Sequence, residues 1–259
     1  MGVAASPFAR KRYYEKFNTV ELQNTFYQLP SLDYAKRLRS EAPPGFVFNM
    51  KAWQVITHPP RSPTWRRLRK PPPGNLENYG YLRPTRENIE AWRLVHSFAI
   101  ELGAHVVVLQ TPPSFRYSEE NVANITKFFS AVERGGVVVG WEPRADWNLK
   151  KEVLKEIICR MGLLHVVDPF RHQPVICAGQ RILYFRLHGI GGREVNYRYR
   201  YTDEDLQRLA SYIHEIITSK KDIKEIYVMF NNIYMGEDAE RFKTIASRND
   251  LPLCRKRSR

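Results

Sequence analysis

The run Ile182-Leu-Tyr-Phe-Arg-Leu-His-Gly189 is followed by a helical pattern that opens at Thr202-Asp-Glu-Asp205. Side chains alternate along a strand, so the apolar residues of the run share one face, and Tyr184, Arg186 and His188 share the other. The threonine with an acid three residues later is a capping-box pattern, and leucines and isoleucines follow it at helical spacing. This stretch therefore predicts a strand followed by a helix, the repeating unit of parallel α/β folds.

Runs of the same kind recur along the whole chain of 259 residues and alternate with amphipathic stretches. The predicted strands are Thr19–Leu22, Phe46–Ala52, His105–Gln110, Val137–Glu142, Leu164–Asp168, Ile182–His188 and Glu225–Asn231, with Gly2–Ala5 as a weaker first strand. Eight strands with seven or eight helices over this length predict an α/β fold, a TIM (β/α)8 barrel that occupies residues 1–259 as a single domain. The first strand is expected to be short or atypical.

The composition narrows the class of protein and its partners. Lysine and arginine number 41 against 27 aspartate and glutamate residues, a formal net charge of +14, and 43% of the residues are hydrophobic. This hydrophobic fraction is that of a globular domain and excludes disordered and collagen-like chains. The positive charge favours polyanions, so DNA, RNA or a phosphorylated small molecule is the expected partner. No pattern in the sequence specifies an oligomeric state.

The expected location follows from the cysteines and from the apolar runs. Cys159, Cys177 and Cys254 are odd in number and too few for a secreted disulfide framework. Met1–Lys11 lacks the apolar core of a signal peptide, and no apolar run approaches the ~20 residues that span a bilayer. We therefore expect a cytoplasmic protein without membrane contact, in which Cys159 is a core residue of a helix.

Polar side chains collect at the C-terminal ends of the predicted strands. The expected set is Glu21, Lys51, Gln110, Glu142, Asp168, Arg186, His188 and Asn231. The interior of a barrel is a packed apolar core, and active sites of this fold lie at the C-terminal face of the strands. The set therefore predicts a site at that face. The alternative is a structural ion-pair network in which Lys51 and Arg186 neutralise the carboxylates.

Six blocks of sequence, in one order, carry a resemblance to a known family. They are Phe17–Pro30, Phe48–Trp53 with Ile56–His58, Leu109–Phe115, Trp141–Arg144, Tyr184–Gly189 and Phe230–Asn232. The chain resembles the YecE-like family, domain of unknown function 72, over nearly its whole length, and the forms around Trp53 and Asn196–Tyr201 resemble its archaeal branch. The resemblance implies a TIM barrel and no established reaction. The characteristic positions that it implies are Glu21, Asn24, Lys51, Thr57, His58, Gln110, Glu142, Arg186, His188, Asn231 and Asn232.

The segment 57–88 follows the third predicted strand and differs in composition from the rest of the chain. It holds seven prolines and seven lysine or arginine residues. A loop after a barrel strand overhangs the C-terminal face, so this segment is expected to be a lid-like insertion. Its cationic contacts to nucleic acid or a nucleotide would come from Arg66, Arg67 and Arg69. The alternative is a rigid cover fastened by ion pairs.

Two further stretches favour anions. Asn196-Tyr-Arg-Tyr-Arg-Tyr201 alternates aromatic and cationic residues before a helix N-terminus, and in an extended form its candidate nucleic-acid contacts are Tyr197, Arg198, Tyr199 and Arg200. Gly189-Ile-Gly-Gly192 is a glycine loop at a strand end, and its backbone amides can approach a phosphate, although it matches no full phosphate-loop motif. The basic tail 255–259 adds nonspecific affinity for anions.

A divalent metal is the less favoured alternative for the predicted site. Glu142, Asp168 and His188 have side chains that bind divalent ions. Their spacing matches no metal motif, since the chain has no His-Glu-x-x-His and no Cys-x-x-Cys sequence. No cofactor is specified by the sequence.

The leading functional hypothesis is an enzyme that acts on a phosphate-containing substrate, such as a phosphodiester hydrolase acting on nucleic acid. Glu142 or Asp168 would be the general base, and cationic side chains would stabilise negative charge. The catalytic candidates are Glu142, Asp168, His188 and Lys51, and the substrate-binding candidates are Glu21, Asn24, His58, Gln110, Arg186, Asn231 and Asn232. A noncatalytic nucleic-acid-binding barrel and a sugar-type isomerase or lyase are the alternatives.

Overall fold

The computed structural model describes residues 2–3, 10–192 and 194–253. The chain divides into two compact units. The first unit comprises Met1–Glu21, Ala42–Val47 and Val166–Arg259, and the second comprises Leu22–Glu41 and Phe48–His165. No helix among the described residues is both long and apolar enough to cross a membrane. The basic tail 255–259 predicted from the sequence lies outside the described residues.

The eight strands belong to one sheet with a regular order. They are β1 Gly2–Val3, β2 Thr19–Leu22, β3 Val47–Lys51, β4 Ala104–Gln110, β5 Val138–Glu142, β6 Leu164–Val167, β7 Ile182–Leu187 and β8 Glu225–Phe230. The order is β1-β8-β7-β6-β5-β4-β3-β2, and each pairing described between neighbouring strands is parallel. The fold is the TIM-barrel fold that the sequence predicts. From β2 onward each strand end lies within one residue of its predicted position, whereas Ala4 and Ala5 lie outside the described residues.

The helices depart from strict alternation with the strands at two connections. The described residues contain α1 Arg10–Lys16, α2 Asn24–Tyr27, α3 Leu32–Glu41, α4 Arg86–Leu102, α5 Glu119–Ala131, α6 Lys151–Arg160, α7 Asp203–Ser219 and α8 Met235–Arg248. Both α2 and α3 follow β2. The connection 168–181, between β6 and β7, contains no helix.

Local sequence explains the βα unit of β7 and α7 in the first unit. Asp205 N–H donates to Thr202 Oγ1 at 3.2 Å, and the Asp205 carboxylate accepts Thr202 N–H at 3.0 Å, which completes the predicted capping box. Phe185 of β7 lies 6.2 Å from the ring of Tyr212 on α7. Tyr184, on the opposite face of the strand, stacks on Tyr227 of β8 at 5.5 Å. The predicted alternation of β7 is therefore confirmed.

An aromatic cluster in the second unit anchors the loops that follow β4 and β5. Trp147 lies edge-on to Trp141 at 5.1 Å and stacks on Phe115 at 5.6 Å. The indole N–H of Trp147 donates to the Phe115 carbonyl at 2.6 Å, so burial of this ring leaves its polar atom satisfied. The cluster thereby fixes the chain segment that follows Glu142 at the end of β5.

The segment 57–88, predicted to be lid-like, contains short 3-10 helices at Pro63–Arg67 and Leu76–Asn78. Leu82 is fully buried, and its N–H donates to the Ile56 carbonyl at 3.0 Å. Arg83 donates to the Gly80 carbonyl at 3.3 Å and to the Glu77 and Tyr79 carbonyls, so this cation fastens the segment internally.

The expectation that Cys159 is a core residue of a helix is wrong. Cys159 is exposed on α6, because Leu154, Ile157 and Ile158 form the buried face of that helix. Cys159 and Cys177 each take part in a disulfide bond. An odd number of cysteines therefore did not exclude disulfide formation in this chain.

Candidate active site

A buried network in the first unit joins β2 and β7. Arg186 Nη2 lies 3.0 Å from Glu21 Oε1, and the Tyr184 hydroxyl donates to Glu21 Oε2 at 2.8 Å. All three residues are 0% exposed. Burial and the Glu21 carboxylate raise the pKa of Tyr184 well above its ordinary value, so the hydroxyl keeps its proton and remains a donor. Glu21 and Arg186, both predicted site residues, thus form a buried ion pair with Tyr184.

Asp168, His188 and Asn231 meet where β6, β7 and β8 end. Asp168 accepts the backbone N–H of His188 on Oδ2 at 2.9 Å and that of Phe170 on Oδ1 at 3.0 Å. Asn231 Nδ2 lies 3.1 Å from His188 Nδ1, and the ring of Tyr197 lies 5.9 Å from the His188 ring. Three predicted residues are therefore brought together, and both oxygens of Asp168 hold the backbone.

Asn232 and Tyr199 are tied to helix starts. Asn232 Nδ2 donates to Asp238 Oδ2 at 2.6 Å and to the Tyr199 carbonyl at 2.8 Å. The Tyr199 hydroxyl donates to Asp205 Oδ2 at 2.6 Å, and this hydrogen bond raises the pKa of Tyr199 to about 12. Because these side chains fasten the loops before α7 and α8, their observed contacts are structural.

The segment Asn196–Tyr201 is not extended. Tyr199 N–H donates to the Asn196 carbonyl at 2.9 Å, which closes a turn at 197–198. Tyr197 is 45% exposed, whereas Tyr201 is 1% exposed. An extended form would place the tyrosines on one face and the arginines on the other, but the turn interrupts the two-residue period of a strand and this separation is not formed.

The two arginines of this segment are exposed. Arg200 lies 2.8 Å from Glu237 at the start of α8, and its guanidinium lies 5.5 Å from the centre of the Tyr234 ring. Arg198 belongs to the turn. Both candidate cationic contacts therefore face solvent, but Arg200 has a carboxylate beside it.

In the second unit, Lys51 and Gln110 meet at the ends of β3 and β4. Lys51 Nζ lies 2.9 Å from Gln110 Oε1 and 3.8 Å from the centre of the Phe26 ring. Lys51 is 6% exposed. An amide oxygen and the face of an aromatic ring therefore compensate part of the cost of burying this ammonium group.

His58 belongs to the same part of the second unit. Its ring is edge-on to Phe26 at 5.0 Å, its Nδ1 lies 2.8 Å from Thr57 Oγ1, and it is 5% exposed. Burial, followed by the positive charges of Lys51 and Arg144, lowers the pKa of His58 from 6.5 to about 3. Both charges that act on His58 are cations, so the imidazole is neutral at physiological pH in a field of positive sign.

Glu142 ends β5 and pairs with Arg144. The Glu142 Oε1 to Arg144 Nη2 distance is 2.7 Å, and the two side chains are 5% and 9% exposed. Ala145 follows with a φ of +59°, a conformation that alanine adopts at a cost, and Asp146 accepts the Tyr117 N–H at 2.9 Å. Arg144 therefore lies immediately before a short turn whose backbone is constrained at Ala145.

Other predicted contact residues lie on the surface of the second unit. Asn24 is exposed at the start of α2, as are Arg66, Arg67 and Arg69 of the lid-like segment. The guanidinium of Arg67 lies 4.3 Å from the centre of the Tyr27 ring. The lid-like segment thus presents exposed cations, as a surface for anions requires.

Sequence reasoning missed two residues of these networks, Arg144, which follows β5, and Tyr184, which lies within β7. Arg144 is the clearest case, because it acts on His58 and pairs with Glu142. Its signal was its place in the block Trp141–Arg144. Tyr184 was assigned to the polar face of β7 but not to the site.

Within residues 2–3, 10–192 and 194–253, no group of three or more His, Cys, Asp or Glu residues is arranged to hold a metal ion. The metal-ligand candidates of the sequence form no such group there; they are Glu142, Asp168 and His188.

Comparisons with known proteins place these sites in a family context. The family described as protein of unknown function DUF72 matches residues 4–252. A DUF72 family protein from Thermotoga maritima is 25% identical, with 92% of this chain and 88% of that chain covered and a TM-score of 0.63. A DUF72 family protein from Enterococcus faecalis is 20% identical, with 97% of each chain covered and a TM-score of 0.68.

A D-tagatose 3-epimerase-like protein is 17% identical, with 96% of each chain covered and a TM-score of 0.57. This likeness and that of the Enterococcus faecalis protein are likenesses of fold. No curated protein matches the chain.

Proposed function

Because this chain belongs to the DUF72 family of proteins of unknown function, we propose a function from the chemistry of its own side chains. The proposal is an enzyme that acts on a phosphate-containing substrate. The observation that carries it is that Lys51 and His58 are both buried against the Phe26 ring, at 3.8 Å and 5.0 Å from its centre. Burial, with the positive charges of Lys51 and Arg144, lowers the pKa of His58 to about 3. Two cations acting on one buried point favour an anion there.

Each member of the second-unit cluster has a distinct part in the proposed reaction. Lys51 and Arg144 stabilise the negative charge on the phosphoryl oxygens. His58 is neutral and supplies a hydrogen bond without adding charge. Glu142 is the general base, which takes a proton from water as the water oxygen bonds to phosphorus and the ester oxygen leaves with a proton from solvent. Asp168 is the less suitable base, because both of its oxygens accept backbone N–H groups.

Nucleic acid is the proposed source of the phosphate. The lid-like segment supports this, since Arg66, Arg67 and Arg69 are exposed and Arg67 lies over an aromatic ring. Arginine binds phosphate oxygens through paired N–H groups, and aromatic rings stack on bases. Binding that depends on these arginines falls steeply as salt increases.

Turnover and phosphate affinity test this proposal together. We would measure hydrolysis of bis(4-nitrophenyl) phosphate and the dissociation constant of inorganic phosphate for the wild type, Lys51→Met and Lys70→Met. Lys70 is exposed on the lid-like segment and is the matched control. We expect Lys51→Met to weaken phosphate binding about tenfold or more, since one charged hydrogen bond contributes ~1.5–3 kcal/mol. Lys70→Met should leave the constant unchanged.

Two results would contradict the proposal. Phosphate and oligonucleotide binding without turnover of any phosphate ester would favour the noncatalytic binder. Binding of a neutral sugar such as D-tagatose with an affinity insensitive to salt would favour the sugar-type isomerase or lyase.

A further inference from the structure

Thr57 and His58 follow the short 3-10 helix Gln54–Ile56 in the second unit. Their backbone is fixed by later residues of the lid-like segment. The Trp65 indole N–H donates to the His58 carbonyl at 2.9 Å, and the Tyr81 N–H donates to the Thr57 carbonyl at 3.0 Å. On this backbone the two side chains meet, with Thr57 Oγ1 2.8 Å from His58 Nδ1. Either atom can be the donor of this hydrogen bond, so two arrangements of the protons are open.

The Gln54 carbonyl decides between the two arrangements. If Nδ1 carried the ring proton, the Thr57 hydroxyl would donate elsewhere, and the acceptor that the described residues offer it is the Gln54 carbonyl at 3.4 Å. That carbonyl already accepts the backbone N–H groups of Thr57 at 3.0 Å and of His58 at 2.7 Å, which occupy both of its lone pairs. Hydroxyl hydrogen bonds are normally about 2.5–3.0 Å long, so this longer third contact contributes little. The Thr57 hydroxyl therefore donates to His58 Nδ1.

The ring proton of His58 then lies on Nε2. A neutral imidazole carries one ring proton, and this ring is neutral at physiological pH because burial and two nearby cations lower its pKa to about 3. Nε2 points away from Thr57, and no oxygen or nitrogen of the described residues accepts its proton. His58 is 5% exposed, and Nε2 is not one of the enclosed polar atoms of the described residues that lack a partner. A ligand can therefore reach this unpaired donor.

The cations that act on His58 present donors of the same kind. Lys51 and His58 border the same Phe26 ring, and an ammonium or guanidinium group has no acceptor atom. A ligand atom that meets these groups together with Nε2–H must accept hydrogen bonds. An ionised phosphoryl oxygen does so without a proton of its own, and charge-assisted hydrogen bonds of this kind are the stronger ones.

We propose that Thr57 is a positioning residue, whose hydroxyl holds His58 in the Nε2–H tautomer and makes Nε2 a donor to an oxygen of the ligand. That this oxygen is a phosphoryl oxygen rests on the proposed function. A donor that is oriented before the ligand arrives stabilises negative charge without a cost of reorganisation. The assignment also separates His58 from Glu142, because Nδ1 accepts from Thr57 and Nε2 holds its proton, so neither nitrogen can serve as the general base.

Nitrogen magnetic resonance of the His58 ring in the 15N-labelled full chain tests the tautomer directly. Spectra are recorded at neutral pH for the wild type and for His58→Gln, whose missing signals identify the ring. A protonated ring nitrogen resonates upfield of an unprotonated one, so the two tautomers are distinguished. We expect the proton on Nε2, and its signal should shift and saturate when inorganic phosphate is added at constant ionic strength. A proton on Nδ1 would overturn the proposal.

Three substitutions test whether Thr57 sets the tautomer. Thr57→Val replaces the hydroxyl with a methyl group, Thr57→Ser keeps the hydroxyl, and Thr244→Val makes the same change at an exposed position of α8 as the matched control. We expect Thr57→Val to share the ring proton between the two nitrogens, whereas Thr57→Ser and Thr244→Val keep it on Nε2.

Phosphate affinity should follow the tautomer in Thr57→Val. Because only the Nε2–H form is competent, the dissociation constant rises as the inverse of its fraction: about twofold for an even mixture and about tenfold if one tenth remains. A merely structural role of Thr57 would not produce this relation. A Thr57→Val variant that keeps the proton on Nε2 and binds phosphate like the wild type would overturn the positioning role.

The outcomes separate this inference from the proposed function. If the wild-type proton lies on Nδ1 while Lys51→Met weakens phosphate binding, the positioning role is overturned and the proposed function stands. If Thr57→Val moves part of the proton from Nε2 to Nδ1 but Lys51→Met binds phosphate as the wild type does, the positioning role stands and the proposed function fails. Should Thr57→Val not fold, the tautomer of the wild type and its retention in Thr57→Ser decide alone.

Discussion

Replacing Glu21 with glutamine removes one negative charge from the buried network of the first unit. Glutamine still accepts the Tyr184 hydroxyl, but Arg186, 0% exposed, loses the ionised partner 3.0 Å away. Removing one partner of a buried pair lowers the free energy of unfolding by ~3–5 kcal/mol. At about 2–4 °C of melting temperature per kcal/mol in a chain of this size, we expect a drop of roughly 6–20 °C.

Urea unfolding followed by circular dichroism measures this loss. The control is Glu156→Gln, because Glu156 and its partner Arg160 lie 3.3 Å apart with side chains 67% and 58% exposed. That substitution should change the free energy of unfolding by less than ~1 kcal/mol. Adding Arg186→Met to Glu21→Gln should recover part of the loss, since the buried positive charge is then absent. A Glu21→Gln loss as small as that of the control would refute the reasoning.

Three further predictions concern stability and pH. Between pH 6.5 and about 3 the unfolded chain binds a proton at His58 that the folded chain does not, so stability should fall with decreasing pH by about 1.4 kcal/mol per unit from this group. In urea unfolding at several pH values, His58→Gln should remove this part of the slope and the exposed His214→Gln should retain it; equal slopes in the wild type and His58→Gln would contradict the assignment. Ala145→Gly should raise the free energy of unfolding by up to ~1 kcal/mol, because glycine adopts a φ of +59° freely, and a loss of stability would count against a constrained turn. Gly80→Ala places a Cβ 2.6 Å from the backbone nitrogen of Pro59, whereas a Cβ at Gly45 meets nothing within 4 Å. Gly80→Ala should therefore lower the free energy of unfolding by ~2 kcal/mol more than Gly45→Ala. Equal losses in thermal melts would show that the backbone of the lid-like segment rearranges to make room.

Strand alternation and helix caps account for most of what the sequence predicts well. Both signals are local, so they can be recognised in the sequence without knowledge of long-range partners. Alternation places Lys51 and Gln110 at the ends of neighbouring strands, and their side chains do meet. It also assigns Tyr184 and Phe185 to opposite faces of β7, as their ring contacts show.

The contacts that the sequence could not predict lie in loops, where no period assigns a direction to a side chain. Arg144 and Arg171 follow strands by a few residues, and only the folded backbone reveals what they contact. Tyr199 was predicted to contact nucleic acid from the alternation of aromatic and cationic residues in Asn196–Tyr201, and Asn232 was implied by the family resemblance. Each is instead bonded to a carboxylate of a helix start, and the partner Asp238 of Asn232 has no signal in the loop sequence.

The most direct test of the central claim is the position of a bound oxyanion. A crystal of the full chain soaked with tungstate, a heavy analogue of phosphate, would locate the anion by its anomalous scattering. The account predicts a peak whose oxygens lie within about 3 Å of Lys51 Nζ and the Arg144 guanidinium. Tungstate bound only at the exposed arginines of the lid-like segment, with no peak beside Lys51 and Arg144, would contradict the claim.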